Sequence, residues 1–461
     1  MNMRMVASNE IVVENPTQYL RRWCAEYLTI DNPEYIKKEA MGKWVGNIPR
    51  ELCLYDVIGG EIHLPFGVLK RVFRAFPGAE WVNHIHPAQY VPYESDITPY
   101  PYQEEAITAC IKAKNGVLVM PCGSGKTQCG LEIIARLHGR ALWLTHTQDL
   151  LNQSKKRAES TLRCGRFGTI TAGKVDIGET ITFATVQTMY KIDLAKYRDA
   201  FDVVIADECQ HVVSTPSRIT QFGKVVGSLS ARYKFGLTAT PKRADGLEIA
   251  MFALLGDVIH EVSRDAVAHN TCEVRVQIIE TGWEPEYDCV LNADGTIDYN
   301  RVVEAMTHDQ ARHDIVFGEC VMLKGSTLFL ANRVEYLQKF CNDLCACGKK
   351  SICLSGMGTS KKAKDERKQA LTALNNGELD CICASYQLSA EGLDVPNLRY
   401  VVFLTPERDE TRVVQSVGRV GRKANGKEYG TVIDFVDDFG MYRGWAKKRE
   451  RYYKKISAKK Y

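Results

Sequence analysis

An apolar run followed by a glycine loop is the feature that most constrains the fold of this chain. Val117-Leu118-Val119 has the composition of a buried strand, and Met-Pro-Cys-Gly-Ser-Gly-Lys-Thr follows it at 120–127. Gly123 and Gly125 let the backbone turn tightly enough for its N–H groups to converge on an anion, and the helix predicted at 128–137 presents its positive dipole end there. This order predicts a parallel α/β sheet that holds a nucleoside triphosphate.

The polar side chains of the loop suit ATP and its magnesium ion. Lys126 would neutralise the β- and γ-phosphates, and Thr127 would hold Mg²⁺ through its hydroxyl, while Gly123, Ser124 and Gly125 would line the phosphates. A glycine loop alone is a moderate signal, because glycine-rich turns also close ordinary hairpins. The sequence therefore predicts ATP and Mg²⁺ as cofactors on condition that a second motif supplies carboxylates.

Two carboxylates follow a second strand-like run. The β-branched segment Phe201–Ala206 delivers Asp207 and Glu208 at its C-terminal end, which is where open parallel sheets place their ligands. Asp207 can bind Mg²⁺ through water while Glu208 polarises the attacking water. An acidic loop after a strand would explain either motif alone, but the two in this order indicate an ATP-hydrolysing enzyme.

Composition limits the class of protein. The chain has 461 residues, 45% of them hydrophobic and 25% charged, which indicates roughly three globular domains rather than a disordered chain. No apolar run approaches the ~20 residues that a spanning helix needs, and the first residues lack the apolar segment of a signal peptide. We expect a cytoplasmic protein whose sixteen cysteines are reduced thiols, because a chain of this size needs no disulfide framework.

The pattern of elements divides the chain into five predicted regions. Mixed strand and helix signals at 1–94 predict a small α+β accessory domain, and a proline-rich stretch then leads into 95–258, where strands and helices alternate. A connector is predicted at 259–305, a second alternating region at 306–440 and a basic tail at 441–461. Alternation of this kind is typical of a parallel sheet with helices on both faces.

Each alternating region contains five predicted strands. Those of the first region are Gly116–Met120, Ala141–Thr145, Thr180–Ala184, Phe201–Ala206 and Phe235–Thr238. Those of the second are Thr327–Leu330, Ser351–Leu354, Asp380–Ala384, Tyr400–Leu404 and Gly430–Phe435.

The order of motifs from Gln103 to Arg422 resembles that of superfamily 2 helicases and translocases. The loop at 121–127 is most similar to that of the XPB-type branch, which also has no glycine where Met120 stands. Pro-Tyr-Gln at 101–103 resembles the motif in which the glutamine amide contacts adenine. The resemblance implies two RecA-like parallel-sheet lobes with an ATP cleft between them, plus the small N-terminal domain.

The same resemblance assigns residues of the first lobe to nucleic acid. They include hydroxyls and small residues, which can hold phosphates without reading bases. The predicted contacts are Thr145, His146, Gly173, Lys174, Thr185 and Gln187.

One residue of the carboxylate motif departs from the family pattern. Gln210 stands where the family usually carries His or Asp. A glutamine could bridge by hydrogen bonds to the next motif, Thr238-Ala239-Thr240, but the substitution leaves that contact open.

The second lobe resembles the family at two motifs. Gly392 and Asp394 belong to a segment that the resemblance links to ATP. Gln415, Arg419 and Arg422 form the most specific signature of this lobe. The two arginines are three residues apart, which predicts that both lie on one face of a helical turn, and the resemblance gives them the role of arginine fingers.

The sequence is thus interpreted as that of an ATP-dependent DNA helicase or translocase acting in repair, recombination or replication. Its expected partner is single-stranded, forked or branched DNA, and its expected compartment is the cytoplasm of a phage or bacterial host. The alternatives are an RNA helicase, the motor subunit of a restriction system, and a nucleotide-dependent DNA clamp that does not unwind.

Two basic segments outside the motifs are candidate DNA contacts. Lys70, Arg71 and Arg74 lie on a predicted helix, where they would hold duplex ahead of the motor or form part of a structural cap. The segment 443–461 holds nine Lys and Arg against one Glu450, with interleaved aromatic residues. That composition suits phosphate contact and base stacking, although an amphipathic helix with its charges in water is an equal alternative.

Overall fold

The structure is a computed structural model that describes all residues except 1–2, 86, 172, 212, 214, 242–245, 269–270, 356–360, 391–394, 456–457 and 461. For 218, 361, 364, 390, 455, 459 and 460 it describes the backbone alone. The chain divides into two compact units, formed mainly by Met1–Ser263 and by Arg264–Tyr461. No helix in the described part is long and apolar enough to cross a membrane.

The first unit begins with a small module built on a five-stranded sheet. Its strand order is β5-β6-β2-β1-β7, with β1 and β7 parallel and the other pairs antiparallel. The elements are β1 (Arg4–Ala7), β2 (Glu10–Glu14), α1 (Gln18–Tyr27), β3 (Thr29–Asp31), α2 (Pro33–Ala40), β4 (Glu51–Cys53), β5 (Asp56–Ile58), β6 (Glu61–Pro65), α3 (Leu69–Ala75) and β7 (Glu80–Asn83).

The sequence explains how this module closes its core. The Thr17 hydroxyl caps α1 by accepting the Leu20 N–H, which satisfies a backbone donor that the helix leaves unpaired. Leu20, Trp23 and Cys24 are then buried on one face of α1, against the sheet residues Met5 and Val13 among others. β5 and β6 form a hairpin that turns at Gly59-Gly60.

An eight-stranded sheet forms the rest of the first unit. Its order is β13-β12-β14-β10-β15-β16-β9-β17, and every pair is parallel except β12 with β13. The elements are β8 (Tyr93–Ser95), α4 (Pro101–Ala113), β9 (Asn115–Val119), α5 (Lys126–Leu137), β10 (Ala141–Thr145), α6 (Gln148–Thr161), β11 (Leu162–Cys164), β12 (Gly168–Thr171), β13 (Lys174–Asp176), β14 (Ile181–Thr185), α7 (Val186–Met189), β15 (Val203–Asp207), α8 (Pro216–Gly227), β16 (Tyr233–Thr238), α9 (Glu248–Leu255) and β17 (Val258–Glu261).

The five strands predicted for this region are confirmed, each within two residues of its predicted ends. Every residue of β9, β10, β14 and β15 is buried. Helices cover both faces of a parallel sheet, so its central strands are continuous apolar runs, and this is the signal that the sequence carried.

The basic helix α3 docks the module beside β9 and β17, although Lys70 and Arg74 are themselves exposed. Lys70 Nζ donates to the carbonyls of Ala113 at 2.8 Å and Asn115 at 3.4 Å. Arg71 forms an ion pair with Asp257. These contacts favour the structural-cap alternative for Lys70 and Arg71, and contact with duplex DNA stays a prediction; Arg74 is exposed.

A buried lysine fixes the same interface from the other side. Lys234, in β16, is fully buried, and its ammonium donates to the carbonyls of Val226 at 3.0 Å and Asn9 at 3.2 Å. It also lies 4.7 Å from the ring centroid of Phe66. At Gly67 the module approaches α9 so closely that a Cβ would come within 2.5 Å of its backbone.

A seven-stranded, all-parallel sheet forms the second unit, in the order β20-β21-β19-β22-β23-β18-β24. The elements are α10 (Arg264–Val267), β18 (Glu273–Glu280), α11 (Tyr287–Val290), α12 (Tyr299–His308), α13 (Gln310–Val321), β19 (Thr327–Ala331), α14 (Val334–Ala346), β20 (Ser351–Cys353), α15 (Lys361–Asn376), β21 (Cys381–Ser385), α16 (Tyr386–Ala390), β22 (Tyr400–Phe403), α17 (Glu410–Val420), β23 (Tyr429–Val436), α18 (Gly440–Lys455) and β24 (Lys459–Lys460).

The segment 259–305, expected to be a connector, contributes to both sheets. β17 pairs with β9 in the first unit, and β18 pairs with β23 along eight residues in the second. Only Val276 of β18 is fully buried, so the strand lacks the continuous apolar run by which its neighbours were found. The boundary between the two units along the chain therefore falls within this segment, after Ser263.

The basic segment after residue 440 begins with an ordered helix. α18 packs on the second sheet through Tyr453 and on α11 and α12 through Tyr442 and Trp445, and all three aromatic residues are buried. Arg449 is also buried, and its guanidinium donates to both oxygens of Asp434 at 2.8 Å. Trp445 and Tyr453 face the protein core, which agrees with the amphipathic-helix alternative and not with base stacking by these two residues.

Candidate active site

The glycine loop has the backbone that a phosphate cradle requires. β9 ends at Val119, and Gly123 and Gly125 have φ angles of +81° and +82°, in the left-handed region that glycine adopts without strain. Gly125 is the N-cap of α5, whose first residues are Lys126 and Thr127. The predicted strand, loop and helix are therefore present, and the helix dipole points toward the loop.

Gln103 supports this loop from α4. Its side chain is buried, and its Oε1 accepts the Tyr100 N–H at 2.9 Å. A Cβ at Gly125 would come within 2.5 Å of Gln103 Nε2. The Gln103 amide thus contacts the start of its own helix and lies against the loop, and its predicted contact with adenine stays a prediction.

The second motif lies beside the first. Asp207 is the last residue of β15, and Glu208 follows with a φ of +48°, which is uncommon for a residue other than glycine. Lys126 Nζ lies 3.7 Å from Glu208 Oε1, with both side chains largely buried. The sheet therefore unites the lysine of the glycine loop with the carboxylate predicted to act on water.

The two carboxyl groups differ in electrostatics. Burial, followed by repulsion from Glu208, raises the pKa of Asp207. Burial also opposes the charge of Glu208, but the Lys126 ammonium and the Gln210 amide outweigh it and lower the pKa of Glu208. The group held ionised by its neighbours is the one with the predicted role of orienting and polarising water.

Gln210 bridges the carboxylate motif to Thr238 by hydrogen bonds, the contact that the sequence had left open. Its Nε2 donates to Glu208 Oε2 at 2.8 Å, and its Oε1 accepts from the Thr238 hydroxyl at 2.6 Å. The Thr238 hydroxyl in turn accepts the Thr240 N–H at 3.0 Å. Glu208, Gln210, Thr238 and Thr240 form a continuous hydrogen-bonded chain, which we call the relay. An amide has both a donor and an acceptor, so glutamine can occupy this position.

Two of the predicted nucleic-acid residues have their hydroxyls bound within their own loops. Thr145 is fully buried, and its Oγ1 donates to the Thr147 carbonyl at 2.9 Å. Thr185 is also buried, caps α7 through the Thr188 N–H and lies 2.8 Å from the Thr188 hydroxyl. This geometry gives Thr145 and Thr185 a loop-shaping role and does not present their hydroxyls to a strand.

The other predicted contacts are more accessible. Gly173 and Lys174 are exposed at the turn between β12 and β13, and His146 and Gln187 are half-buried. Gln187 Nε2 donates to the His146 carbonyl at 3.3 Å, which joins the loops after β10 and β14. The His146 ring stacks on that of His211 at 4.4 Å, beside the carboxylate motif.

Strand order explains how these groups are arranged. The parallel strands all end at one edge of the sheet, which we call the carboxyl edge. β15, β16 and β9 bring the relay and the glycine loop to one half of this edge, and β10, β14 and β12 bring the loops of the predicted nucleic-acid contacts to the other. The two halves adjoin where β15 pairs with β10.

Sequence reasoning missed two neighbours of the carboxylates. Ser154, on α6, lies 3.4 Å from Asp207 Oδ2 through its hydroxyl, and His211 carries the ring that stacks on His146. A single serine within a helix gives no sequence signal. His211 directly follows Gln210, so its position beside the motif was the one available indication.

The signature residues of the second unit lie around the end of α17. Gln415 and Arg419 are buried within the helix. Arg422 lies beyond it, because the helix ends at Val420, and residue 422 instead forms an isolated bridge with Thr271. The prediction that both arginines lie on one helical face is wrong for this reason. Gly392 and Asp394 lie outside the described residues.

Comparison with known families agrees with this arrangement. The model described as type III restriction enzyme, res subunit, matches residues 96–243, and the model described as helicase conserved C-terminal domain matches residues 313–424. The chain belongs to the superfamily 2 helicases. This helicase is accordingly an ATP-hydrolysing enzyme with two RecA-like parallel sheets, as its motifs predicted.

Relatives of the helicase include viral and archaeal proteins. A protein of Acanthamoeba polyphaga mimivirus, provisionally named an ATP-dependent RNA helicase, is 26% identical over 92% of this chain and 78% of its own length. The DNA 3'-5' translocase XPB2 of Sulfurisphaera tokodaii is 26% identical over 70% of this chain and 78% of its own. The structure of S. cerevisiae Dbp5 bound to RNA and ADP BeF3 covers 86% of this chain and 94% of its own, with a TM-score of 0.56 and 15% identity, a likeness in fold.

Proposed function

We propose that this helicase couples ATP hydrolysis to movement on, or remodelling of, DNA in repair, recombination or replication. Relatives named as DNA 3'-5' translocases or helicases of the XPB and Rad25 type support DNA as the substrate. The XPB-like glycine loop supports the same choice. The name of the mimivirus relative supports RNA, so RNA is the alternative that an experiment must separate.

The observation that carries the proposal is the relay, together with the ion contact from Lys126 to Glu208. This set of contacts starts at the lysine expected to hold the β- and γ-phosphates and reaches Thr240 in the next motif. A change at the phosphate can therefore be transmitted through direct hydrogen bonds. Movement on nucleic acid requires such coupling between hydrolysis and a conformational step.

The donor set of the glycine loop and β15 suits Mg²⁺. The Thr127 hydroxyl and the Asp207 carboxylate are hard oxygen ligands, and Mg²⁺ usually takes one or two protein ligands together with water and substrate phosphates. When bound, the ion would neutralise phosphate charge. Thr127 and Asp207 would hold it, Lys126 would bind the β- and γ-phosphates and Glu208 would orient the attacking water.

Arg419 and Arg422 are proposed to stabilise the charge that develops on the transferring phosphate. This role comes from the family resemblance, and an arginine finger typically contributes ~10³–10⁵ in rate. Gly392 and Asp394 are proposed to assist nucleotide binding in the same unit. The Ser389 hydroxyl lies 3.4 Å from that of Ser416, so the helix that leads to this segment contacts α17 directly.

The test measures ATP hydrolysis and strand displacement by the full chain on forked and four-way DNA, with RNA of matched sequence as the control. We expect DNA to stimulate hydrolysis more than RNA does, and forked or branched DNA to be unwound or migrated. Stimulation by RNA alone would replace the DNA proposal with the RNA alternative. Stimulation by DNA without displacement or movement would support the clamp, and an equal rate with and without nucleic acid would overturn the proposal.

A further inference from the structure

The outer face of α18 is almost entirely basic. The helix buries Tyr442, Trp445, Ala446, Arg449 and Tyr453, at the three- and four-residue spacing of one helical face. Gly440 and Gly444 are the uncharged residues among its exposed positions in the described part of the helix. The remaining exposed positions are Arg443, Lys447, Lys448, Arg451 and Lys454.

The packing of α18 fixes the direction of this face. Arg449 donates to both oxygens of Asp434 at 2.8 Å and to the Glu407 carbonyl at 3.0 Å, and the Tyr453 hydroxyl donates to Asp434 at 2.7 Å. A buried, bidentate arginine of this kind holds one geometry. The opposite side of the helix therefore presents its cations as a fixed row.

Most charges in this row are not neutralised within the protein. Arg443 is paired with Asp438. For the other four, Lys447, Lys448, Arg451 and Lys454, the described residues supply no ion pair. Some surface cations elsewhere do have acidic partners: Arg163 lies 2.7 Å from Asp96, Lys38 lies 3.3 Å from Glu34 and Lys196 lies 3.7 Å from Asp193.

We propose that Lys447, Lys448, Arg451 and Lys454, the basic face of α18, bind the phosphate backbone of the nucleic acid on which the helicase acts. At 1.5 Å per residue the face is about 10 Å long, and a duplex carries one negative charge per about 1.7 Å of its axis. Several phosphates therefore fit along it. The aromatic residues of the helix are buried, so contact would be with phosphates and not with stacked bases. This inference rests on the proposed function.

The test compares the full chain with the triple variant Lys447→Gln, Arg451→Gln and Lys454→Gln. Binding to single-stranded DNA of mixed sequence is measured at a series of salt concentrations, together with the DNA concentration that half-stimulates hydrolysis. We expect roughly tenfold weaker binding, equal for different sequences, and a salt slope shallower by about two, because single strands lose ~0.7 per phosphate contact. Hydrolysis at saturating DNA should be retained.

The matched control removes the same charge from paired positions. Lys38→Gln, Arg163→Gln and Lys196→Gln replace three exposed cations that have acidic partners, and should leave the salt slope near that of the original chain. If DNA stimulates the original chain and the α18 variant behaves like the control, the inference is overturned while the proposed function stands. If no nucleic acid stimulates the original chain, the proposed function fails as well. Unchanged thermal unfolding of both variants excludes loss of the fold as the cause.

Discussion

The two halves of the carboxyl edge of the first sheet use their side chains in different ways. In the nucleotide half, Lys126, Glu208, Gln210 and Thr238 contact one another in sequence. In the half that carries the predicted nucleic-acid contacts, hydroxyls such as that of Thr145 bond to the backbone of their own loops. One half depends on particular functional groups, and the other depends on loop shape.

This difference between the two halves agrees with what their predicted ligands, ATP and nucleic acid, require. Hydrolysis needs charged groups at fixed positions, and buried charges are tolerated only when they are paired and hydrogen-bonded. A translocating motor holds a repeating phosphate backbone, for which N–H groups and a few polar side chains suffice. The nucleotide half should therefore be sensitive to single substitutions and the other half more tolerant, and three predictions test this contrast.

The largest effect is expected for Lys126→Ala. Hydrolysis should fall by ~10³ or more because the phosphate loses its cation and Glu208 its counter-ion, while DNA binding should change little. Steady-state hydrolysis and fluorescence anisotropy on labelled DNA measure the two activities. Joint loss of both, with unaltered thermal unfolding, would show that the two halves are not separate.

An intermediate effect is expected for Gln210→Ala. This change removes the two hydrogen bonds that Gln210 makes within the relay. A hydrogen bond to a charged group contributes ~1.5–3 kcal/mol, so DNA-stimulated turnover should fall by roughly 10- to 100-fold. Gln210→His, which retains a donor and an acceptor, is the conservative control and should restore most of it. A Gln210→Ala protein with full stimulation would remove the relay from the coupling path.

The smallest effect is expected for Gln187→Ala, in the other half. It removes one neutral hydrogen bond, to the His146 carbonyl, of ~0.5–1.5 kcal/mol. The DNA concentration for half-maximal stimulation should rise by about two- to tenfold, and hydrolysis without DNA should not change. Gln338→Ala, which removes an exposed glutamine on α14 that bonds to Asn342, serves as the control. A larger loss than for Gln210→Ala would reverse the proposed contrast.

The sequence predicted those parts of the molecule that local physics determines. Apolar runs located ten strands of the two parallel sheets, because central strands are buried on both faces. Glycine spacing located the loop before α5. β18 was not predicted because its residues are mostly half-buried. The end of α17 before Arg422 was not predicted because residue spacing does not show where a helix stops.

Partners chosen by tertiary structure could not be predicted. Lys70 and Lys447 are both exposed on basic helices, yet the Lys70 ammonium donates to the carbonyls of Ala113 and Asn115, while the described residues supply no ion pair for Lys447. The composition of the two helices is similar, so it could not show which lysine has a partner within the chain. Gln210 is similar in this respect, since its identity allowed a bridge but Thr238 had to be placed opposite it by the pairing of β15 with β16.

The anchoring of Lys234 makes the N-terminal module part of the folding unit of the motor. Removal of residues 1–94 would leave that ammonium without the Asn9 carbonyl and without the ring of Phe66, in a site with little access to water. Burial lowers the pKa of Lys234 to about 7, so between this pH and about 10 the unfolded chain binds the extra proton and the folded state gains stability as pH rises. The N-terminal module and the eight-stranded sheet should accordingly unfold in a single cooperative transition. A chain without residues 1–94 should have a lower free energy of unfolding.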